Sequence, residues 1–79
     1  MFNGRMLNII RHLKTQGEST YKEMAKELGV SERSVRYDVD RINDILSLEH
    51  LPEIEKHSKG VLKYPANLDL NRHKNILPL

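Results

Sequence analysis

The turn at Gly29 constrains the fold of this chain more than any other feature, because it separates two helical patterns. Upstream, a Thr-x-x-Glu capping box begins at Thr20 and marks the start of a helix. Glycine is the residue best suited to the left-handed conformation that ends a helix. Ser31 is then a typical N-cap for the next helix. The sequence therefore predicts two helices, at about residues 21–28 and 32–48.

Both segments carry an apolar stripe at helical spacing, and a third pattern of this kind precedes them. The stripes consist of Tyr21, Met24, Ala25 and Leu28 in the first segment and of Val35, Val39 and Ile42 in the second. The earlier pattern predicts a helix at about residues 3–15, capped by Asn3, with Met6, Ile9, Ile10 and Leu13 on one face. With one Phe and no Trp, the core must come from Leu, Ile, Val and Met.

The residues around Gly60 predict a β-hairpin at about 53–64. A three-residue loop over 58–60, with Gly60 left-handed, gives a consistent register. It pairs His57 with Val61, Glu55 with Lys63 and Ile54 with Tyr64, and it brings Ile54, Leu62 and Tyr64 to the inner face. A two-residue loop would scatter the apolar residues over both faces, so we prefer the longer loop.

Three residues have the spacing of a helix-turn-helix motif: Ala25, Gly29 and Val35. A large side chain at the first position would push the helices apart, and a Cβ at the second would strain the turn. A basic hairpin, which we call the wing, directly follows the third helix. We therefore predict a mainly α fold with a small β-hairpin, a three-helix winged helix-turn-helix in residues 1–65. Residues 66–79 are predicted to be a linker or the start of a missing downstream domain.

Composition limits the possible functions. Thirteen Lys and Arg residues against eleven Asp and Glu residues give a net charge of +2, a weak indication of an acidic partner. The absence of cysteine excludes disulfides and thiolate metal sites, and no histidines have metal-ligand spacing, so we expect no metal and no cofactor. No catalytic motif occurs, so we expect no enzyme. No apolar run is long enough for a membrane span or a signal peptide, which favours a cytoplasmic protein with no membrane partner.

The segment LGVSERSVRYDVDRIN at residues 28–43 resembles the recognition helix of DeoR-like winged helix-turn-helix domains, and the wing SKGVLKYP resembles theirs. It is most similar to the N-terminal domains of bacterial sugar-responsive regulators that carry phosphotransferase-regulated (PRD) modules, as in BglG-like and mannitol-type activators. This resemblance implies a transcriptional regulator of sugar uptake or metabolism genes, in which domains absent here form a homodimer.

Within the motif, only the first two turns of the third helix are expected to enter a major groove, because Asp40 and Asp44 farther along would be repelled by phosphates. Arginine matches the two acceptors of guanine, and the start of the second helix can hold a phosphate. The predicted DNA contacts are Ser31, Arg33, Ser34, Arg36, Tyr37 and Arg41 on the recognition helix, Ser19 and Thr20 at the start of the second helix, and Lys56, His57 and Lys59 on the wing.

One residue departs from the older helix-turn-helix pattern. Asp38 stands where those proteins place an apolar side chain, and Val39 takes the inward role instead. We expect Asp38 to be a partly buried carboxylate that pairs either with Arg41 or with the first helix, and not to contact a base.

Two other functions use the same fold. A winged helix can bind another protein, but such a third helix would carry apolar or acidic residues outward, and this one carries arginines and a tyrosine. An RNA-binding antiterminator is the second alternative, which the BglG-like resemblance raises. RNA readers rely on sheet surfaces and stacking aromatic residues, and this chain has one Phe and three Tyr. Double-stranded DNA remains the favoured partner.

Overall fold

Each of the three helices begins at a side-chain cap. In the computed structural model, which describes residues 2–70, α1 is Gly4–Gln16, α2 is Tyr21–Leu28 and α3 is Glu32–Leu48. The side-chain oxygens of Asn3, Thr20 and Ser31 accept hydrogen bonds from the first turns at 2.9, 3.0 and 3.1 Å. α2 and α3 have the predicted bounds, and α1 is shifted by one residue. Within this range, no helix is both long and apolar enough to cross a membrane.

Three short strands form one antiparallel sheet in the order β1-β3-β2. They are β1 (Glu18–Thr20), β2 (Glu55–Lys56) and β3 (Val61–Lys63). The sequence does not predict β1, because three polar residues in front of a helix cap carry no strand pattern. This strand forms through its pairing with β3, in which Ser19 lies opposite Leu62.

The hairpin of β2 and β3 has the predicted register. Glu55 lies opposite Lys63, and the His57 N–H donates to the Val61 carbonyl at 2.8 Å. Gly60 is left-handed with φ 73°, as expected, and Lys59 before it is also left-handed with φ 60°. The preferred three-residue loop is therefore confirmed.

The apolar stripes predicted from the sequence meet in one core. Its members are Phe2, Met6, Ile9, Ile10 and Leu13 around α1, Tyr21, Met24 and Ala25 from α2, Val35, Val39, Ile42 and Leu46 from α3, and Ile54 and Leu62 from the hairpin. At the turn, the N–H of Val30 donates to the carbonyl of Ala25 at 3.0 Å, and Gly29 is left-handed with φ 67°. The structure thus confirms the predicted fold class: three helices with a small sheet.

The packed domain continues beyond the boundary predicted at residue 65. Leu68 and Leu70 are buried in the core, and the Tyr64 hydroxyl donates to the Leu68 carbonyl at 3.3 Å. Burial raises the pKa of this hydroxyl. Residues 66–70 are therefore part of the folded unit, whereas the remainder of the predicted linker, residues 71–79, lies outside the described residues.

A charged pair joins α1 to α3. The Asp38 carboxylate accepts hydrogen bonds from the guanidinium of Arg5, one from Nε to Oδ2 and one from Nη2 to Oδ1 at 3.1 Å. The carboxylate is buried, with 2% of its side chain exposed, whereas 42% of the Arg5 side chain is exposed. The hydrogen bond to Asp38 and the charge of this carboxylate raise the pKa of Arg5. Of the two partners considered for Asp38, the first helix is the correct one.

Candidate nucleic-acid interface

The outer face of α3 presents an arginine and a tyrosine to solvent. Tyr37 is 59% exposed, and its hydroxyl accepts a hydrogen bond from Nη1 of Arg41, one turn later, at 3.2 Å. Arg33 is exposed and makes no hydrogen bond or ion pair with any residue between 2 and 70. The guanidinium of Arg33 is therefore free to pair with an external acceptor.

The two serines of the first turn of α3 are bonded to each other. The Ser31 hydroxyl accepts from the Ser34 N–H and donates to the Ser34 hydroxyl oxygen, both at 3.1 Å. Ser31 is thus used as the helix cap. The proton of the Ser34 hydroxyl remains available to an outside acceptor.

Arg36 is held against α2. Its guanidinium carbon lies 4.1 Å from the centre of the Tyr21 ring, which is a cation–π distance. Beside this pair is a cavity of about 220 Å³, which we call the wing cleft. It is lined by Thr20, Tyr21 and Lys22 from the start of α2, Glu32 and Arg36 from α3, and Lys59 and Gly60 from the wing. The wing cleft therefore joins all three segments predicted to contact DNA.

Two of the three predicted wing contacts already have acidic partners. Lys56 is hydrogen-bonded to the Asp40 carboxylate of α3, and this bond raises the pKa of Lys56. Nε2 of His57 lies 2.9 Å from Oε1 of Glu55. Lys59, at the tip, makes no such pair within residues 2–70. Lys56 therefore attaches the wing to the recognition helix, and Lys59 presents the free charge.

The structure does not place Ser19 on the surface that carries the other predicted DNA contacts. Ser19 is buried in β1, opposite Leu62, and its hydroxyl has no hydrogen-bond partner among residues 2–70. The strand that the sequence did not reveal turns this side chain inward. Thr20, the next residue, is half-buried, and its hydroxyl caps α2 by accepting from the Glu23 N–H.

Replacing Ser19 by alanine is expected to raise the free energy of unfolding by up to about 1 kcal/mol, because a buried hydroxyl without a partner is a desolvation cost. DNA affinity should not change. Chemical denaturation followed by circular dichroism measures the first effect. As a control, Thr20→Ala should lose about 1 kcal/mol through its helix cap. A comparable loss for Ser19→Ala would show that the hydroxyl is satisfied in solution.

Asn43 supports the wing, a role that our sequence analysis missed. Its side-chain oxygen accepts from the Ile54 N–H at 2.8 Å, and its side-chain nitrogen donates to the Ile54 carbonyl at 3.2 Å. Both residues are buried. The available signal was an amide at an inward position between Ile42 and Leu46, where an apolar residue would suit the stripe. A buried amide must find partners, and here they belong to the start of the wing.

The capped second helix, the glycine turn, the exposed third helix and the adjoining hairpin define a winged helix-turn-helix. The profile of the HTH domain family matches residues 5–61, which extend from α1 to the first residue of β3. The chain belongs to this family of helix-turn-helix DNA-binding domains. None of the curated proteins or solved structures with which the chain was compared gives a significant match.

Proposed function

We propose that this domain reads a specific sequence in double-stranded DNA, with the first two turns of α3 in the major groove, as the DNA-binding part of a transcriptional regulator. One observation carries the proposal: Arg33 projects from the recognition helix of an HTH domain with its guanidinium exposed and unpaired among residues 2–70. Such a guanidinium can donate two hydrogen bonds to O6 and N7 of guanine.

The surrounding charges support this orientation. Asp40, which would face a phosphate, is bonded to Lys56, so that the wing offsets its charge. Asp44 lies beyond the groove on the next turn. Tyr37 and Arg41 form a bonded pair on the same face, in which Tyr37 reaches the edge of the groove and Arg41 its phosphate wall.

The identity of the regulator is a finer proposal. Residues 28–43 resemble the recognition helix of DeoR-like regulators with PRD modules. We therefore propose a bacterial, cytoplasmic regulator of sugar uptake or metabolism genes that dimerises through domains other than this one. The domain alone is then expected to be monomeric at micromolar concentration, which sedimentation tests directly.

Replacing Arg33 by alanine is expected to cost about 1–3 kcal/mol on the cognate duplex and much less on random duplex, because it removes a base contact. The cognate site is obtained by selection from random duplexes, and affinities are measured by fluorescence anisotropy. Asp44→Ala is the control on the same helix and should leave the preference between the two duplexes unchanged. Equal losses for Arg33→Ala on both duplexes would make that residue a backbone anchor.

The same assay separates the alternative functions. The unaltered domain is titrated with duplex DNA and with RNA of matched sequence, at low and at high salt. A DNA reader binds the duplex with a steep salt dependence. Preference for the RNA would favour an antiterminator. Absence of binding to either nucleic acid at low salt would contradict the proposal and favour a protein-binding module.

A further inference from the structure

We propose that the wing cleft clamps one phosphate of the DNA backbone, and that Arg36, positioned by Tyr21, anchors this phosphate and does not read a base. The inference rests on the proposed function, since it assigns a partner to one part of the same interface. It changes the role of Arg36, which the sequence places beside Arg33 on the recognition helix without distinguishing their tasks.

The Tyr21 ring fixes the direction of the Arg36 side chain. The ring is buried, and the guanidinium carbon of Arg36 lies 4.1 Å from its centre. The wing tip approaches the same ring: a Cβ added to Gly60 would lie 3.4 Å from Cδ2 of Tyr21. Because the ring is buried and both Arg36 and the wing tip lie against it, it has little freedom. Arg36 is therefore directed toward α2 and the wing, whereas Arg33 has no partner within residues 2–70 that turns it from the groove.

The stacking leaves the donors of Arg36 unused. A guanidinium over an aromatic ring presents its face to the ring and keeps its N–H groups at the edge. Arg36 makes no hydrogen bond or ion pair with residues 2–70. Its donors are thus held in place and unsatisfied, which suits a fork that binds the oxygens of a phosphate.

The wing cleft has the charge that a phosphate requires. Lys22, Arg36 and Lys59 contribute three positive charges and Glu32 one negative charge, so the lining carries +2. Lys59 has φ 60° and ψ 28°, a conformation that is uncommon for a residue with a side chain. Such backbone strain occurs where a side chain must be directed to a functional site. Here the strained residue is part of the lining of the wing cleft.

The test is the salt dependence of binding to cognate and random duplexes. Arg36→Gln should weaken binding to both by the same factor and lower the slope of log K against log salt by about 0.9, since one phosphate contact is lost. Between 50 and 200 mM salt the variant would then lose affinity about 3.5-fold less than the unaltered domain. Lys59→Asn should lower the slope by a similar amount, and asparagine tolerates the left-handed backbone at this position.

Tyr21 is tested as a positioning residue through the same slope. Tyr21→Phe keeps the ring and should bind as the unaltered domain does. Tyr21→Leu removes the ring and should reproduce the slope of Arg36→Gln, and combining the two changes should give no further loss. Thermal unfolding monitors the fold of each variant. If Tyr21→Leu does not fold, the test instead uses duplexes in which a single phosphate is replaced by a neutral methylphosphonate. At one such linkage, the replacement should weaken binding of the unaltered domain and leave binding of Arg36→Gln unaffected.

Each alternative result has a definite meaning. A larger loss for Arg36→Gln on cognate than on random duplex would make Arg36 a base reader and overturn the inference, while the proposed function stands. A folded Tyr21→Leu variant with an unchanged slope, or no linkage that distinguishes Arg36→Gln, would also overturn it. Failure of the unaltered domain to bind any duplex would instead overturn the proposed function.

Discussion

Replacing Leu68 and Leu70 together by alanine is expected to lower the free energy of unfolding by about 4–6 kcal/mol. Both side chains are buried in the core, although they follow the last strand and lie outside the helix-turn-helix pattern. Each substitution loses the free energy gained by burying a leucine side chain and leaves a cavity. A chain of 79 residues has about 4–12 kcal/mol of stability in total, so the double variant should lose about a third or more of it.

Urea denaturation followed by circular dichroism measures this loss, with the single variants beside the double one. Asn67→Ala is the matched control, because Asn67 lies between Pro65 and Leu68 and is exposed, and it should change stability by less than about 0.5 kcal/mol. A total loss under about 1 kcal/mol for the double variant would show that the domain ends at the hairpin.

The helices and the hairpin could be predicted because each carries its own local signal. α2 has a threonine cap and a terminating glycine, both of which adjoin the helix in the sequence. The register of the wing followed from the alternation of Ile54, Leu62 and Tyr64 once Gly60 was given the left-handed position. Where turn chemistry and apolar period agree, one structure satisfies both.

β1 and the segment after the wing could not be predicted, because they owe their structure to distant partners. Ser19 lies in a strand only because β3 presents an edge to it, and its sequence neighbours indicate nothing more than a helix start. Leu68 and Leu70 alternate with polar residues over too short a stretch to establish a period. Their burial depends on the core that they join, which no local pattern describes.

The site was predictable as a set of exposed cations but not in its internal connections. Arg33 and Arg36 are both arginines on the same helix. They differ because Arg36 stacks on the ring of Tyr21, which belongs to α2. Likewise, Lys56 and Lys59 differ through Asp40 of α3, which binds the first and not the second. The sequence gives the charges, and the tertiary contacts decide which of them are free.

Replacing Asn43 by alanine is expected to lower the free energy of unfolding by about 2–4 kcal/mol, because the change leaves two buried backbone groups without partners. The side-chain amide of Asn43 satisfies both the N–H and the carbonyl of Ile54, at the start of the wing. An alanine would also remove the side-chain hydrogen bonds that join the buried face of α3 to this end of the hairpin.

The loss should be concentrated in the wing, and hydrogen exchange of the Ile54 amide reports on it directly. In Asn43→Ala this amide should lose protection while the amides of α1 keep theirs, provided that the variant is studied at a temperature where it remains folded. Asp44→Ala, one position along the same helix and exposed, is the control and should leave the protection of both sets of amides unchanged.

A second consequence concerns DNA binding. If Asn43 sets the position of the wing, adding Lys59→Asn to Asn43→Ala should weaken duplex binding little further, because the wing tip is already displaced. Retained protection of Ile54, together with a full additional loss from Lys59→Asn, would show that the Asp40–Lys56 bond holds the wing without Asn43.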